Sequence, residues 1–466
     1  MSFSDLTFLF YFLPLFFAVY YLVPFRCKNA VLVLGSAACY LLGAGVRDAL
    51  LLSAVLLLHY FLARLMVGRS PRMRKGLLAA ALSADLFCLV YFKYAAFFLE
   101  NWGKLTGQSF PLVKLILPLG VSFYLFQSAG YLIDVCRGAA AEKNLVDYAA
   151  FTIAFPQLTM GPILRYDEWR GALKERTLSR EDAFLGFELF AVGLCFKVLL
   201  ADQLAPLWAS LERIGYGYLS TPLAWLGAAS YSLQLYFDFS GYSLMAMGLG
   251  QMLGLPVPRN FDLPYTARSV SEFYRRWHIT LGTWFRDYLY IPLGGSRRGK
   301  ARTALALTVV WFFTGLWHGA SWNFVVWGLF YGVILITEKY FTGKILAKLP
   351  GAVQTLYTMI LVMLGWVLFF SPTLGSALTW IGNMFGQGAT GFMDSQALYL
   401  IMRNWLFWVA GIIGSTPFMH LLGKRLVFNE ERPHTVLAGC LMTGLFVLCV
   451  AYLVTESYNP FLYFRF

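Results

Sequence analysis

Five histidines, His59, His278, His318, His420 and His434, stand in a 466-residue chain of which only 13% is Asp, Glu, Lys or Arg. Two of them sit among residues that could give them chemical work. His318 closes the run Trp311-Phe312-Phe313-Thr314-Gly315-Leu316-Trp317 and leads into Gly319-Ala320-Ser321-Trp322-Asn323. An imidazole titrates near pH 6.5, so at neutral pH it is largely the free base that can take the proton of a hydroxyl. Gly315 and Gly319 flank His318 on its own side of a helix, which allows close approach of another backbone or of a substrate. The competing reading is a helix-end histidine at a membrane interface, with Trp317 and Trp322 as an aromatic belt. Trp317 and Asn323 are candidates for orienting or lining such a site.

His278 lies in Ser271-Glu272-Phe273-Tyr274-Arg275-Arg276-Trp277-His278-Ile279-Thr280. Read as one helix, this stretch puts Phe273, Trp277, Leu281, Trp284 and Tyr288 on one face. Arg275, Arg276, Thr283, Arg286 and Asp287 share the other, with His278 at the edge of the aromatic side. An in-plane amphipathic helix explains the stripe without any function, but not the titratable ring at its boundary. Asp238, in Tyr236-Phe237-Asp238-Phe239-Ser240-Gly241-Tyr242, falls mid-span and is too short to reach water. It needs a buried donor, either as a structural tie or as an orienting group.

Arg275, Arg276, Arg297, Arg298 and Lys300 make a basic cluster suited to phosphates or an acidic carrier, or equally to lipid headgroups. His59 and His420 read as packing residues without polar company, and His434 as solvated. No histidine pair has metal-ligand spacing, and none of the seven cysteines forms Cys-x-x-Cys, so neither a metal nor a disulfide frame is expected.

The elements that hold these residues follow from composition. With 59% of residues hydrophobic and 18% aromatic, the chain has too little polar surface for a soluble globule. Its net charge of +13 fits basic cytoplasmic loops better than a nucleic-acid partner. Apolar runs near the roughly 20 residues a bilayer demands occur at 6–24, 29–45, 48–66, 76–98, 112–136, 181–204, 221–251, 302–319, 321–340, 352–370, 405–422 and 435–454.

The expected fold is thus an all-α polytopic membrane protein of about 11–12 transmembrane helices, one domain over 1–466 with a catalytic core at about 112–340. Residues 148–163, broken by Phe155-Pro156 and Gly161-Pro162, and 271–293, laced with charge, read as re-entrant or interfacial pieces. The run up to Pro24 has no basic leader, as for a retained first span. Placing the basic clusters 64–75, 165–180, 259–302 and 424–432 inside puts both termini outside the cytoplasm.

Three blocks carry a resemblance. Arg275-Arg276-Trp277-His278-Ile279, Phe285-Arg286-Asp287-Tyr288-Leu289-Tyr290-Ile291-Pro292-Leu293-Gly294-Gly295 and Leu316-Trp317-His318-Gly319-Ala320 resemble the membrane-bound O-acyltransferase family, within it the bacterial alginate O-acetylase branch. Pro118-Leu119-Gly120-Val121-Ser122-Phe123-Tyr124, Phe155-Pro156-Gln157, the segment around Asp238 and the closing Pro460-Phe461-Leu462-Tyr463-Phe464-Arg465-Phe466 are similar to further family segments.

The resemblance implies His318 as the active-site histidine, His278 as a second one, a central funnel open to the outside, and a cytoplasmic route for the acyl donor. The implied reaction is acyl transfer, acetyl first among candidates, from a thioester such as acetyl-CoA or an acyl carrier to an exported polysaccharide. On this expectation His318 is the base, and His278 donates to the thioester oxygen or positions the donor. No bound cofactor is expected. The longest outer loop, about 371–404, is too short for a folded domain, so a secreted or membrane-anchored partner is expected to accept the acyl group or present the polymer. D-alanyl transfer toward teichoic acid and a proton-coupled transporter are the competing readings.

Overall fold

The computed structural model describes residues 2–109, 116–392, 394–418, 436–455 and 461. His420, His434, the basic cluster 424–432 and most of the closing motif lie outside these. The described residues are helical and contain no strand, with one isolated bridge between Phe261 and Trp277. Among the described residues, seven helices are long and apolar enough to cross a membrane, eight if the pair Ser395–Arg403 and Trp405–Gly414, bent by 66°, counts as one span. Other expected spans coincide with helices that are shorter or more polar. Phe8–Leu22 is short, and Val121–Arg137 carries Gln127, Asp134 and Arg137.

The chain divides into two compact units, Met1–Phe190 with Met245–Pro258, and Ala191–Leu244 with Arg259–Phe466. In the first, helices α1 (Val46–Met66) and α2 (Pro71–Leu89) bring His59 to Asp85. His59 Nε2 lies 3.1 Å from the carboxylate and Nδ1 lies 2.9 Å from the Val55 carbonyl oxygen. His59 therefore has the polar company that its apolar sequence neighbours conceal. Helix Leu145–Ile153 stops just before Phe155-Pro156, as the proline requires. The buried irregular backbone beyond it is satisfied by protein: Phe155 N–H donates to Ser36 Oγ at 3.0 Å.

The second unit holds the histidines singled out by sequence. Of helix α3 (Thr221–Leu253; 33 residues, about 50 Å of rise), residues 221–244 belong to this unit. Ser230, Ser232 and Ser240 on it return their hydroxyls to carbonyls one turn back, which lets a polar stripe be buried. Helix α4 (Val270–Arg276) starts at Ser269, whose side chain accepts from Glu272 N–H at 3.0 Å. Glu338 adds a carboxylate to the same end, accepting from the N–H groups of Val270 and Ser271, both at 2.8 Å.

The sequence reading of one continuous amphipathic helix through 271–288 is corrected here. The helix breaks at Trp277, His278 adopts a left-handed backbone with φ 46°, and α5 (Ile279–Phe285) begins anew. The break is imposed by pairing with residues 260–262: Asp262 N–H donates to Arg276 O and Ile279 N–H to Asn260 O. A helical wheel carries no term for that long-range pairing.

Helices α6 (Lys300–His318) and α7 (Trp322–Thr337) pack backbone to backbone. A β-carbon on Gly315 would strike the Phe324 carbonyl, one on Gly328 the Trp311 carbonyl, and one on Gly319 the Phe324 ring. Of the two partners open to these glycines in the sequence, a backbone or a substrate, the structure shows the neighbouring helix. Gly328→Ala is expected to force the pair apart and cost about 1–3 kcal/mol, read as a lower melting temperature of the purified protein. An unchanged melting temperature would refute this packing.

Candidate functional site

Helix α8 (Gly351–Phe370) completes the walls of a cavity of about 470 Å³ in the second unit. Its lining begins at Leu235 and Phe239 of α3, passes through Tyr274 to Tyr290, and continues over Trp311, Thr314 and His318 of α6. Trp327, Trp366 and Phe369 close it. His278 and His318, 40 residues apart in sequence, thus share one wall system. The last residue of α6 is His318, half-buried, its ring met edge-on by Trp327 at 4.9 Å and Phe369 at 5.0 Å between centroids. Rigid aromatic walls hold such a ring at little entropic cost.

Side-chain contacts hold His278 on several sides. Its Nδ1 lies 3.1 Å from Asn260 Oδ1, which also accepts from Thr280 N–H at 3.2 Å and Thr280 Oγ1 at 3.0 Å. Phe239 packs edge-on at 4.8 Å and Trp317 stands at 6.1 Å. Nε2 is buried and has no hydrogen-bond partner among the described residues. Loss of water around the imidazolium pushes the His278 pKa down to about 3, so the ring is neutral at pH 7.

The remaining candidates divide. Arg275 lines the cavity and has no ion-pair partner among the described residues. Arg276 is committed to Glu272 at 2.5 Å and to Thr266 Oγ1 at 3.1 Å. Arg297, Arg298 and Lys300 are exposed and do not line the cavity, because they occupy the turn before α6 and its first residue. Trp317 is buried near His278 and is absent from the lining. Asn323 donates to the Ser371 carbonyl and so ties α7 to the end of α8. Asp238 is also away from the cavity wall, held by Lys197.

Sequence reasoning missed Asn260, because nothing in Arg259-Asn260-Phe261 signals a partner 18 residues on. It also missed a second cavity of about 610 Å³, lined by Arg268, Lys339 and Glu338 among others. That cavity shares Ser271, Arg275, Leu307 and Leu335 with the first. The Glu338-Lys339 pair, two charges at the end of an apolar run, was the available signal.

The family model of the membrane-bound O-acyltransferases matches residues 76–375. A probable alginate O-acetylase of Pseudomonas putida is 36% identical over the whole of both chains. A peptidoglycan O-acetyltransferase of Helicobacter pylori is 34% identical over 83% of this chain and 80% of its own. A teichoic acid D-alanyltransferase of Streptococcus thermophilus is 30% identical, over 48% of this chain and 58% of its own.

Asp238 needs its own account, since it is buried and outside the cavity lining. Lys197 Nζ donates to Asp238 Oδ1 and to Asp202 Oδ1, each at 2.8 Å, and lies 4.6 Å from the centre of the Phe461 ring. Removing the lysine takes a shared cation from two carboxylates, Asp238 buried and Asp202 half-buried. Lys197→Ala is expected to cost about 3–5 kcal/mol of stability, the penalty for breaking a buried pair from one side. Asp238→Asn, which keeps an acceptor, should cost less; thermal unfolding of the two variants in the opposite order would refute a structural role for the cluster.

Proposed function

Because the chain belongs to the membrane-bound O-acyltransferase family and is an O-acyltransferase of a multi-pass membrane type, we propose the following reaction for it. It moves an acetyl group from a cytoplasmic thioester to a hydroxyl of an exported polysaccharide, directly or through a secreted or membrane-anchored partner. The observation that carries this reading is that His278 and His318 line one aromatic cavity whose wall at Arg275 continues into a second cavity bearing Arg268 and Lys339. A thioester of coenzyme A or of an acidic acyl carrier brings phosphate, and these cations suit it. The aromatic cavity takes the short acyl chain and the acceptor.

In the reaction, the acceptor oxygen bonds to the thioester carbonyl carbon and the carbon–sulfur bond breaks. The hydroxyl proton passes to an imidazole and from there to the leaving sulfur, so the products are an ester and a free thiol. His318 is the residue assigned to take that proton, with His278 assisting from the same cavity. General-base help of this kind contributes about 10²–10⁴ in rate.

A separate acceptor partner suits the stretch after α8, where the described chain forms two short helices, Leu374–Met384 and Ser395–Arg403. The excess of Lys and Arg in the loops assigned inside favours a bacterial inner-membrane location with both termini outside.

His318→Ala should lower the ester content of cell-envelope polysaccharide to background while the protein still accumulates in the membrane. Mass spectrometry of that polysaccharide identifies the group and its recipient, and near-normal esterification would sink the reading. With His278 neutral far below pH 7, the acid limb of the rate profile belongs to another group. His278→Gln should therefore lower kcat/KM without moving that limb; a limb that vanishes in this variant would show that His278 titrates there.

A further inference from the structure

We propose that Asn260 is a positioning residue that fixes His278, a residue of the cavity lining, as the Nδ1–H tautomer, so that Nε2 keeps its lone pair as an acceptor for a donor group of the substrate. This rests on reading the cavity as the acyl-transfer site.

The tautomer follows from a chain of donors. Thr280 N–H is a backbone group that can only donate, and it points at Asn260 at 3.2 Å. The amide atom facing it must be oxygen, since the NH2 end would set donor against donor. The same orientation lets Asn260 Nδ2 donate to Ser243 Oγ at 3.3 Å. With Oδ1 so fixed, the 3.1 Å contact to His278 Nδ1 is a hydrogen bond only if Nδ1 carries the hydrogen. A neutral ring has one N–H, so Nε2 holds a lone pair. Burial, at 4% exposure, disfavours a second proton, so the resting ring is neutral.

The backbone enforces the same geometry. Asn260 O accepts from Ile279 N–H at 3.0 Å, and Asp262 N–H donates to Arg276 O at 2.9 Å, so the segments bracket His278 on both sides. Asn260 itself is fully buried. A residue with φ 46° that is not glycine is strained, and the bracketing contacts hold it there.

This changes the expectation that His278 donates to the thioester oxygen. A ring with no hydrogen on Nε2 cannot donate to a thioester oxygen. It can receive an O–H, N–H or S–H of the bound substrate, and in a transfer that ends with a protonated thiol it is placed to hold a proton in passage.

The test uses the full-length protein in detergent micelles with 15N-labelled histidine, His278 being assigned by the signals missing from His278→Gln. The expected wild-type state is Nδ1 protonated and Nε2 bare. Asn260→Leu, close in size but without an acceptor, should shift His278 to Nε2–H or to a mixture. Polysaccharide ester formation in cells should then fall about ten- to a hundredfold, as when a metal-bound histidine loses the partner that orients it. Asn260→Asp, which keeps the acceptor oxygen, should keep Nδ1 protonated and recover ester formation well above the Leu variant.

Wild-type His278 carrying its hydrogen on Nε2 overturns the proposal without any Asn260 variant, which covers the case of Asn260→Leu failing to fold. An unchanged ring state in a folded Asn260→Leu protein overturns it too. If His278→Gln leaves esterification intact, the acyl-transfer reading of the cavity is at fault and the substrate half of the proposal falls with it. If His278→Gln is inactive but Asn260→Leu is fully active, Asn260 alone loses its role.

Discussion

A buried nitrogen lone pair with nothing bonded to it is costly, about 1–3 kcal/mol where water is excluded. His278 Nε2 is such an atom, and much of the surrounding structure makes sense as what keeps it so. Asn260 takes the other nitrogen, the bridge between Phe261 and Trp277 pins the backbone, and Phe239 and Trp317 close in with ring faces and edges that offer no competing acid. The left-handed backbone at His278 adds roughly another 1–2 kcal/mol. The fold holds both penalties in place through contacts from α3, the 260–262 segment and α6. A reacting group entering the cavity would meet an acceptor whose reorganisation has already been completed by folding.

Charge is kept out of that cavity by local pairing. Lys197 pairs with both Asp238 and Asp202 away from the lining. Glu338 spends its carboxylate on the first turn of α4, and Arg276 on Glu272. Arg286 stands in the lining but is bound to Asp287 at 2.8 Å. What remains at the junction of the two cavities is Arg275, without a carboxylate partner among the described residues. An anionic substrate would therefore find a cation at the rim and an uncharged interior beyond it. That separation favours anchoring a phosphate outside while desolvating the reacting carbonyl inside.

Much of this was legible from residue types. Two histidines in aromatic, glycine-containing runs pointed to the cavity, and apolar runs of span length pointed to a helical membrane fold. The signals that failed share a cause: each was a local pattern settled by a distant partner. The wheel through 271–288 could not anticipate the pairing with 260–262. Arg297, Arg298 and Lys300 were grouped with Arg275 by proximity in sequence, whereas the turn before α6 leaves them exposed and outside the lining. Asp238 advertised a need for a donor but not that Lys197, 41 residues earlier, would meet it. His59 looked isolated because Asp85 belongs to the next helix. Burial cost identifies which residues must have partners; only the packed chain identifies the partners.

Two histidines serve the proposed chemistry better than one for a reason of proton accounting. The hydroxyl loses a proton on the acceptor side, and the sulfur gains one on the donor side. A lone imidazole would have to reach both atoms within one geometry. Placing a half-buried ring at the end of α6 and a dry, tautomer-fixed ring at the α4–α5 break offers two stations with different preferences. The drier station binds a proton weakly, since burial pushes it down, and so gives it up readily to a thiolate. The more accessible one stands at the end of α6 on the same cavity, where the proposed reaction brings the acceptor hydroxyl. Under the proposed reaction the wetter ring takes the hydroxyl proton, and Asn260 leaves the inner ring only Nε2 as an acceptor.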